Sequence, residues 1–338
     1  MKLLAYILRR LAWSIPTILG TLIVIFFLTQ AIPGDAAIRR VGMFGNESTI
    51  AEMRKSMGID EPVHVQFWGY LQRLARGDLG HSYKTGNSVN DDLRQRLPAS
   101  FELAILSMLV AFPVGVGLGV LAAANRGRFW DRFVRAFGIF GNGVAVFWLG
   151  LVLIYIFYFR LEIVPPPAGR LGILDDSPPF VTGFYTIDSL LAGDFETFRT
   201  ALTHLVLPVA CLATVVAAPI SRMTYAAVSE TLRSNYVRAA TAQGLPRGKI
   251  LFKYTLKNAM IPIMTLAGQS MTFLIAGAIL VEMVFSWPGI GRYAVESMVI
   301  ADLAPVQAFV IVTTILALVI NLLVDISYFY FDPRIRVA

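Results

Sequence analysis

Charge, cysteine and histidine are all scarce in this sequence, and each scarcity excludes a class of protein. Only 15% of the 338 residues are charged, against roughly 25% in soluble domains. The single Cys211 excludes an internal disulfide framework and a cysteine-based zinc site. His64, His81 and His204 lie far apart and form no HExxH motif, so we expect no metal centre.

Sequence motifs for catalysis are also missing. The sequence has no GxSxG motif and no pattern that pairs a nucleophile with a base. The nearest approach to a phosphate-binding loop is 244–250, but its glycines are too close together and Ile250 stands where Ser or Thr is needed. A membrane-embedded enzyme is therefore disfavoured, and we expect no catalytic residue and no bound cofactor in this chain.

Apolar residues are abundant: 56% of the chain is hydrophobic, and mean hydropathy is +0.65. Six segments without Asp, Glu, Lys or Arg run 22 to 24 residues, whereas the next longest run 11. About 20 apolar residues cross a bilayer as a helix, and barrel strands are only about 10 residues long. The sequence predicts an all-α membrane protein with six transmembrane helices. The charge-free segments are 11–34, 103–125, 136–159, 200–221, 258–281 and 303–324.

The distribution of basic residues predicts the orientation. Loop 125–135 carries four arginines and one acid, and loop 222–257 carries seven basic residues and one acid. Because Lys and Arg concentrate in short cytoplasmic loops, we expect both termini in the cytoplasm. The net charge of +7 then reflects membrane topology and lipid contact, and we expect no nucleic acid partner.

These assignments divide the chain into three parts. Residues 1–34 hold the N-terminus and first span, residues 35–101 form an external, periplasmic insertion, and residues 102–338 form a five-helix core. The predicted core elements are spans 102–125, 136–159, 200–222, 258–282 and 303–326, with a cytoplasmic loop at 223–257.

The external insertion carries several helix signals. Asn46 or Ser48 can cap a helix over 49–57 that ends at Gly58, and Pro62 can open a second helix that ends at Gly77. Ser88 with an acid three residues later resembles a capping box, and we expect that helix to end before Pro98. The predicted insertion is a small helical cap, and the alternative is a loose loop with a few helical turns.

The positions of acidic residues bear on the mode of transport. An ion-coupled carrier would place ionisable groups in mid-membrane, whereas the six charge-free segments contain no Asp, Glu, Lys or Arg. Glu102, Glu282 and Asp325 lie at segment edges, where an interfacial position is expected. The carrier remains the alternative to a subunit without a driving-ion site.

Polar residues near the fifth span keep two interpretations each. Gln269, Ser270 and Thr272 either face a wet cavity or bond to a neighbouring helix. Trp287 follows the span, where it is either an interface anchor or part of a gate.

The largest cytoplasmic loop contains the most informative segment, 236–257. Ala239, Ala240 and Ala242 lie at helical spacing, Gly244 is a natural helix stop and Pro246 prevents continuation. A short helix with a small-residue face can dock closely on another protein. A basic loop resting on anionic lipid explains the same residues, and physics alone leaves both open.

This segment resembles the EAA loop of bacterial ABC importer permeases, in the variant of the dipeptide, oligopeptide and nickel permease family. Ala239, Ala240 and Gly244 match that motif in register, as does Leu256, while Arg238 replaces the usual Glu. Other matching segments, in order, are Ile32-Pro33-Gly34-Asp35, Gly77-Asp78-Leu79-Gly80, Arg96-Leu97-Pro98-Ala99, Thr182-Gly183-Phe184-Tyr185, Phe285-Ser286-Trp287-Pro288-Gly289 and Asp332-Pro333-Arg334-Ile335.

The resemblance implies an ABC type I importer permease fold in the inner membrane. It also implies a second, similar permease, two ATP-binding cassette subunits that bind ATP and Mg, and an external solute-binding protein. The residues that match the coupling contact to the ATPases are Tyr236, Arg238, Ala239, Ala240 and Gly244. The family's commonest cargo is dipeptides or short oligopeptides, with nickel, glutathione, opines and sugars as alternatives.

Overall fold

The computed structural model describes residues 2–31, 46–57, 60–172 and 174–331, and these residues are almost wholly helical. They form no β-sheet, only an isolated antiparallel bridge between His81 and Ser88. The helices are α1 (Lys2–Ala31), α2 (Glu47–Met57), α3 (Val63–Ala75), α4 (Val89–Ala124), α5 (Phe129–Gly143), α6 (Val146–Arg160), α7 (Tyr185–Leu191), α8 (Phe195–Thr231), α9 (Asn235–Ala242), α10 (Arg247–Gly277), α11 (Ile279–Val284), α12 (Ile290–Val299) and α13 (Leu303–Phe331).

Five of these helices, namely α1, α4, α8, α10 and α13, are long and apolar enough to cross a membrane. A sixth candidate is the pair α5 and α6, which meet at an angle of 105°. The pair breaks because Val144 and Ala145 take extended backbone angles directly after Gly143. The predicted all-α membrane fold is confirmed, and a bent pair of helices stands where the third span is predicted.

Helix α4 begins well before the predicted second span. Ser88 precedes its first turn, and its Oγ accepts a hydrogen bond from the Asn90 amide at 3.3 Å. The expectation that this helix ends before Pro98 is wrong, because α4 continues through Pro98 to Ala124. A proline removes one backbone hydrogen bond, and in membrane proteins neighbouring segments compensate for that loss.

Backbone contacts group the chain into two compact units. The first comprises Met1–Ile7, Arg96–Arg292 and Leu316–Ala338, and the second comprises Leu8–Gln95 and Tyr293–Ile315.

In the first unit, α8 forms the centre of the core. Its residues Cys211, Leu212 and Ile220 are completely buried. Helix α4 approaches it closely through two glycines: a Cβ at Gly115 would lie 2.8 Å from Ile220 Cγ2, and one at Gly119 would lie 2.5 Å from the Ser221 carbonyl oxygen. Small residues at such positions let membrane helices pack backbone against backbone.

In the second unit, α1 packs against α3 through aromatic side chains. The ring of Phe26 lies 5.2 Å from Phe67 and 5.6 Å from Tyr70, measured between centroids. Helices α2 and α3 fall where the cap signals predict helices. The predicted stop at Gly58 lies outside the described residues.

Two buried carboxylates fix the loop that precedes α4. Asp302 accepts hydrogen bonds from Ser82 Oγ at 2.7 Å and from the Tyr83 amide at 2.8 Å. Asp92 accepts from Thr85 Oγ1 and Tyr293 Oη, each at 2.6 Å. Hydrogen bonds to a buried carboxylate are strong, so this loop is held in one conformation.

Candidate functional site

The segment with the predicted coupling residues folds as helix α9 and a tight turn. Ser234 precedes the helix in extended conformation, and its carbonyl accepts the Arg238 amide at 3.1 Å. Gly244 ends the segment with a φ of +75°, which favours glycine. Pro246 then opens α10 with a φ of −62°. The predicted short helix, its glycine stop and the proline break are all present.

Helix α9 has one packed face. Val237 and Ala240 are 3% and 5% exposed and pack with Ile250 of α10, together with the partly buried Leu232 and Leu245. This small apolar cluster holds α9 against the base of the helices on either side. Ala240 therefore contacts its own chain.

The other predicted coupling residues lie on the open face. Tyr236 is 45% exposed, and Arg238, Ala239 and Gly244 are exposed as well. The surrounding surface is basic, with Arg233, Arg247, Lys249 and Lys253 all exposed. Four of the five residues are thus available to a partner, and we call this exposed face of α9, with Gly244, the coupling face.

A second group of functional residues lies near the start of α4, where Glu102 forms a buried ion pair with Arg170. Their side chains are 2% and 5% exposed. Glu102 Oε1 also accepts hydrogen bonds from the amide and hydroxyl of Thr186, at 2.9 and 2.6 Å. Arg170 donates to the Gly183 carbonyl at 2.8 Å, and its guanidinium lies 3.5 Å from the ring centroid of Tyr185. One carboxylate therefore ties the connection between α6 and α8 to α4.

Asp188 of α7 holds the turn that precedes it. Its carboxylate accepts hydrogen bonds from the amides of Val181, Thr182 and Gly183 at 3.2, 2.8 and 2.8 Å. Burial opposes ionisation of this carboxyl, but the hydrogen bonds from Thr182 and the backbone lower its pKa below the ordinary value. Asp188 is therefore an ionised clamp on the 181–183 turn.

A third carboxylate, Glu282 of α11, ties the segment after the fifth span to α4. It accepts hydrogen bonds from Ser100 Oγ at 2.6 Å and from the Arg292 amide at 2.8 Å. Trp287 is completely buried, and its indole Nε1 donates to the Ala99 carbonyl at 2.9 Å. The interpretation of Trp287 as an interface anchor is wrong, because the ring is inside the protein. Glu282 is likewise buried, at 1% exposure.

Three segments that resemble the permease family therefore meet at one place, which we call the outer cluster (Ala99, Ser100, Glu102, Arg170, Gly183, Asp188, Glu282 and Trp287). Sequence reasoning noted these segments separately and missed Arg170 and the burial of Glu102. The available signal was the position of each acid beside a matched segment. The matched segments Ile32–Asp35 and Asp332–Ile335 lie outside the described residues.

Neither group of residues has the arrangement of a catalytic or metal centre. Within residues 2–31, 46–57, 60–172 and 174–331, no cluster of three or more His, Cys, Asp or Glu side chains can hold a metal ion. The coupling face offers an aromatic ring, basic side chains and small residues for contact. The outer cluster offers buried hydrogen bonds that fix the segments before α7 and after α11 on α4.

Comparison with known families matches the chain over nearly its whole length. The family described as binding-protein-dependent transport system inner membrane component matches residues 115–337. Its N-terminal companion, described as binding-protein-dependent transport system membrane component, N-term, matches residues 3–104.

Curated relatives are similar from end to end. The probable D,D-dipeptide transport system permease protein DdpB of Escherichia coli K12 is 40% identical over 330 residues, 97% of each chain. The dipeptide transport system permease protein DppB of Alkalihalophilus pseudofirmus is 37% identical, over 99% of this chain and 100% of its own. The glutathione transport system permease protein GsiC of Salmonella paratyphi A is 32% identical over 99% of each chain.

Proposed function

The chain belongs to the binding-protein-dependent transport system inner membrane component family, and we propose that it is the permease subunit through which an ATP-driven importer passes dipeptides or short oligopeptides. The observation that carries this proposal is the end-to-end similarity to permeases named for dipeptide transport, at 37–40% identity. The chain is a multi-pass inner-membrane protein without the sequence motifs of an ATPase, so the energy must enter through other chains.

The proposed assembly contains a second permease, two ATP-binding cassette subunits that bind ATP and Mg, and an external solute-binding protein. The coupling face supports the ATPase contact, because an exposed tyrosine and small residues on a rigid short helix suit a groove on another protein. We assign this contact to Tyr236, Arg238, Ala239 and Gly244. Ala240 belongs to the same contact indirectly, since its burial against Ile250 positions the helix.

The proposed orientation places both termini and α9 in the cytoplasm. Exposed basic residues around α9, Arg126 and Arg128 in the loop before α5, and Arg132 in the first turn of α5 support this choice. The outer cluster then lies on the opposite side, where a solute-binding protein would dock.

Glutathione is the second candidate cargo, because one relative at 32% identity is named for it. The two cargoes are chemically close, since glutathione is itself a short peptide. Nickel complexes, opines and sugars have no comparable support among the relatives described above.

Affinity purification of the tagged chain from its native membrane tests the assembly. We expect two ATPase chains and a second permease to co-purify, and proteoliposomes of that complex with the binding protein to accumulate dialanine only with ATP and Mg. A chain that purifies alone, with uptake driven by a proton or sodium gradient, would establish the ion-coupled carrier instead.

A further inference from the structure

A cavity of about 290 Å³ lies among α5, α8 and α10 in the first unit. Asn142, Gln269 and Ser270 contribute its polar groups, and the rest of the lining is glycine, valine, proline and one phenylalanine. None of the lining residues is ionisable. The volume is at the small end of the roughly 300–1,000 Å³ typical of small-ligand sites.

The polar groups of this cavity retain hydrogen-bonding capacity. Asn142 donates from Nδ2 to the Gly138 carbonyl at 2.6 Å, which leaves its side-chain oxygen for another donor. Gln269 is exposed, and its carboxamide carries one acceptor oxygen and two donor hydrogens. By contrast, the hydroxyl of nearby Thr272 bonds to the Gly268 carbonyl of its own helix at 3.2 Å.

The position of Gln269 along its span indicates what the cavity contains. Gln269 lies at the centre of the charge-free segment 258–281, and hence near the middle of the bilayer. An exposed amide in contact with hydrocarbon is costly, because nothing there can replace its hydrogen bonds to water. This face of α10 must therefore meet water or polar groups rather than lipid.

We propose that this cavity holds the peptide in transit, and that Asn142, Gln269 and Ser270 hydrogen-bond to its backbone. The inference rests on the proposed peptide transport and names the groups that would carry it. A carboxamide is both a donor and an acceptor, so it can pair with either group of a peptide bond. Because the lining has no charge, the cavity offers no counter-ion to peptide side chains or termini. Passage through it should therefore discriminate little between peptides.

Thiol labelling tests whether the cavity is wet, without relying on transport. Cys211 is the chain's only cysteine and is completely buried, so the wild-type chain, separated from its partners on a gel after labelling, supplies an unreactive background. We expect a charged, membrane-impermeant thiol reagent to label Gln269→Cys and Ser270→Cys in the importer during turnover. Excess dialanine should slow that labelling. Val319→Cys, on an exposed position of α13, is the lipid-facing control and should stay unlabelled. If neither cavity position labels, or if dialanine does not slow labelling, the proposal is overturned.

Uptake by apolar variants tests the role of the amides. We expect Gln269→Leu and Asn142→Leu each to reduce uptake of dialanine and of lysyl-containing dipeptides alike, by about 3- to 10-fold. Gln269→Glu should instead shift the ratio of uptake in favour of cationic dipeptides. Thr272→Val is the matched control and should transport normally.

Two measurements distinguish failure of the binding cavity from failure of the proposed transport function. ATP-driven uptake by the wild-type complex tests the proposed function, and the membrane level of each variant shows whether it folds. Normal uptake by both leucine variants at normal membrane level would contradict a backbone-binding cavity. A changed preference among peptides in the leucine variants would contradict its indifference to side chains.

Discussion

The coupling face and the outer cluster use charge in opposite ways. On α9 the charged side chains are exposed, and three buried apolar residues (Val237, Ala240 and Ile250) hold the helix. In the outer cluster the ionisable side chains themselves are buried: Glu102, Asp188 and Glu282 are 3%, 1% and 1% exposed. Exposed charge contributes little to stability, whereas breaking a buried pair is costly.

The coupling face therefore suits the proposed contact with a partner, whereas the outer cluster is a buried network that fixes its segments in place. A partner can bind an exposed face of a short helix and release it again without unfolding the chain. A set of buried carboxyl groups, each hydrogen-bonded to two or more groups, fixes the segments before α7 and after α11 on α4. We therefore expect substitutions on the coupling face to change transport, and substitutions in the outer cluster to change stability.

The largest effect is expected at the buried ion pair. Arg170→Met should reduce the free energy of unfolding by about 3–5 kcal/mol, because it leaves the Glu102 carboxylate buried without its partner. Thermal unfolding of the detergent-purified protein measures this loss, and limited proteolysis should show new cleavage between residues 160 and 194.

An exposed ion pair provides the matched control for Arg170. Arg54 and Asp60 also pair, at 3.0 Å, but their side chains are 41% and 65% exposed. Arg54→Met should therefore change stability by at most about 1 kcal/mol. Equal losses of unfolding free energy in Arg170→Met and Arg54→Met would show that burial does not make the Arg170–Glu102 pair more important than an exposed pair.

A second test of the outer cluster uses Gly289. A Cβ at this position would overlap Glu282 Oε1 and Ser100 Oγ, whereas one at Gly117 of α4 has nothing within 4 Å. Gly289→Ala should lower the free energy of unfolding by about 1–3 kcal/mol, and Gly117→Ala should not lower it. Thermal unfolding compares the two. A stable Gly289→Ala protein would mean that this carboxylate has room to move.

Two adjacent alanines of α9 test whether exposure decides the effect of a substitution in the coupling segment. Ala239 is exposed and Ala240 is buried, although both match the same motif. Ala239→Arg should leave the chain stable but reduce peptide uptake about tenfold or more, by obstructing the partner's groove. Ala240→Arg should loosen α9 itself and lower both uptake and protease resistance of the loop.

Uptake, ATP hydrolysis and loop proteolysis, measured together, distinguish these outcomes. Arg233→Glu, exposed but outside α9, controls for charge alone. Normal uptake by Ala239→Arg would remove the coupling face from the proposal.

The sequence predicted the spans because charge is excluded from hydrocarbon, and that exclusion is local to each segment. It also predicted α9, since Gly244 and Pro246 are signals within the same turn. It could not predict the outer cluster, because Glu102 and Arg170 are 68 residues apart in the sequence and meet only in the folded chain. From sequence, a carboxylate at the edge of a charge-free segment is expected at the membrane–water interface. Only the fold shows whether a distant partner buries it within the protein. The bend at Val144 was missed for a related reason, since apolar composition measures length and not direction.

The smallest expected effect concerns the clamp at Asp188. Its pKa is lowered in the folded protein, so its contribution to stability is present above the ordinary pKa of about 3.9 and is lost as pH falls through the folded value. Asp188→Asn should therefore cost about 1–2 kcal/mol at pH 7, and the difference from wild type should shrink as the pH approaches 3. Asp176→Asn, at an exposed carboxylate of the same connection, should change stability by at most about 0.5 kcal/mol at either pH. Thermal unfolding of the three proteins across this range measures the effect. A deficit in Asp188→Asn that stays constant down to pH 3 would mean that the side chain acts through its shape and not through its charge.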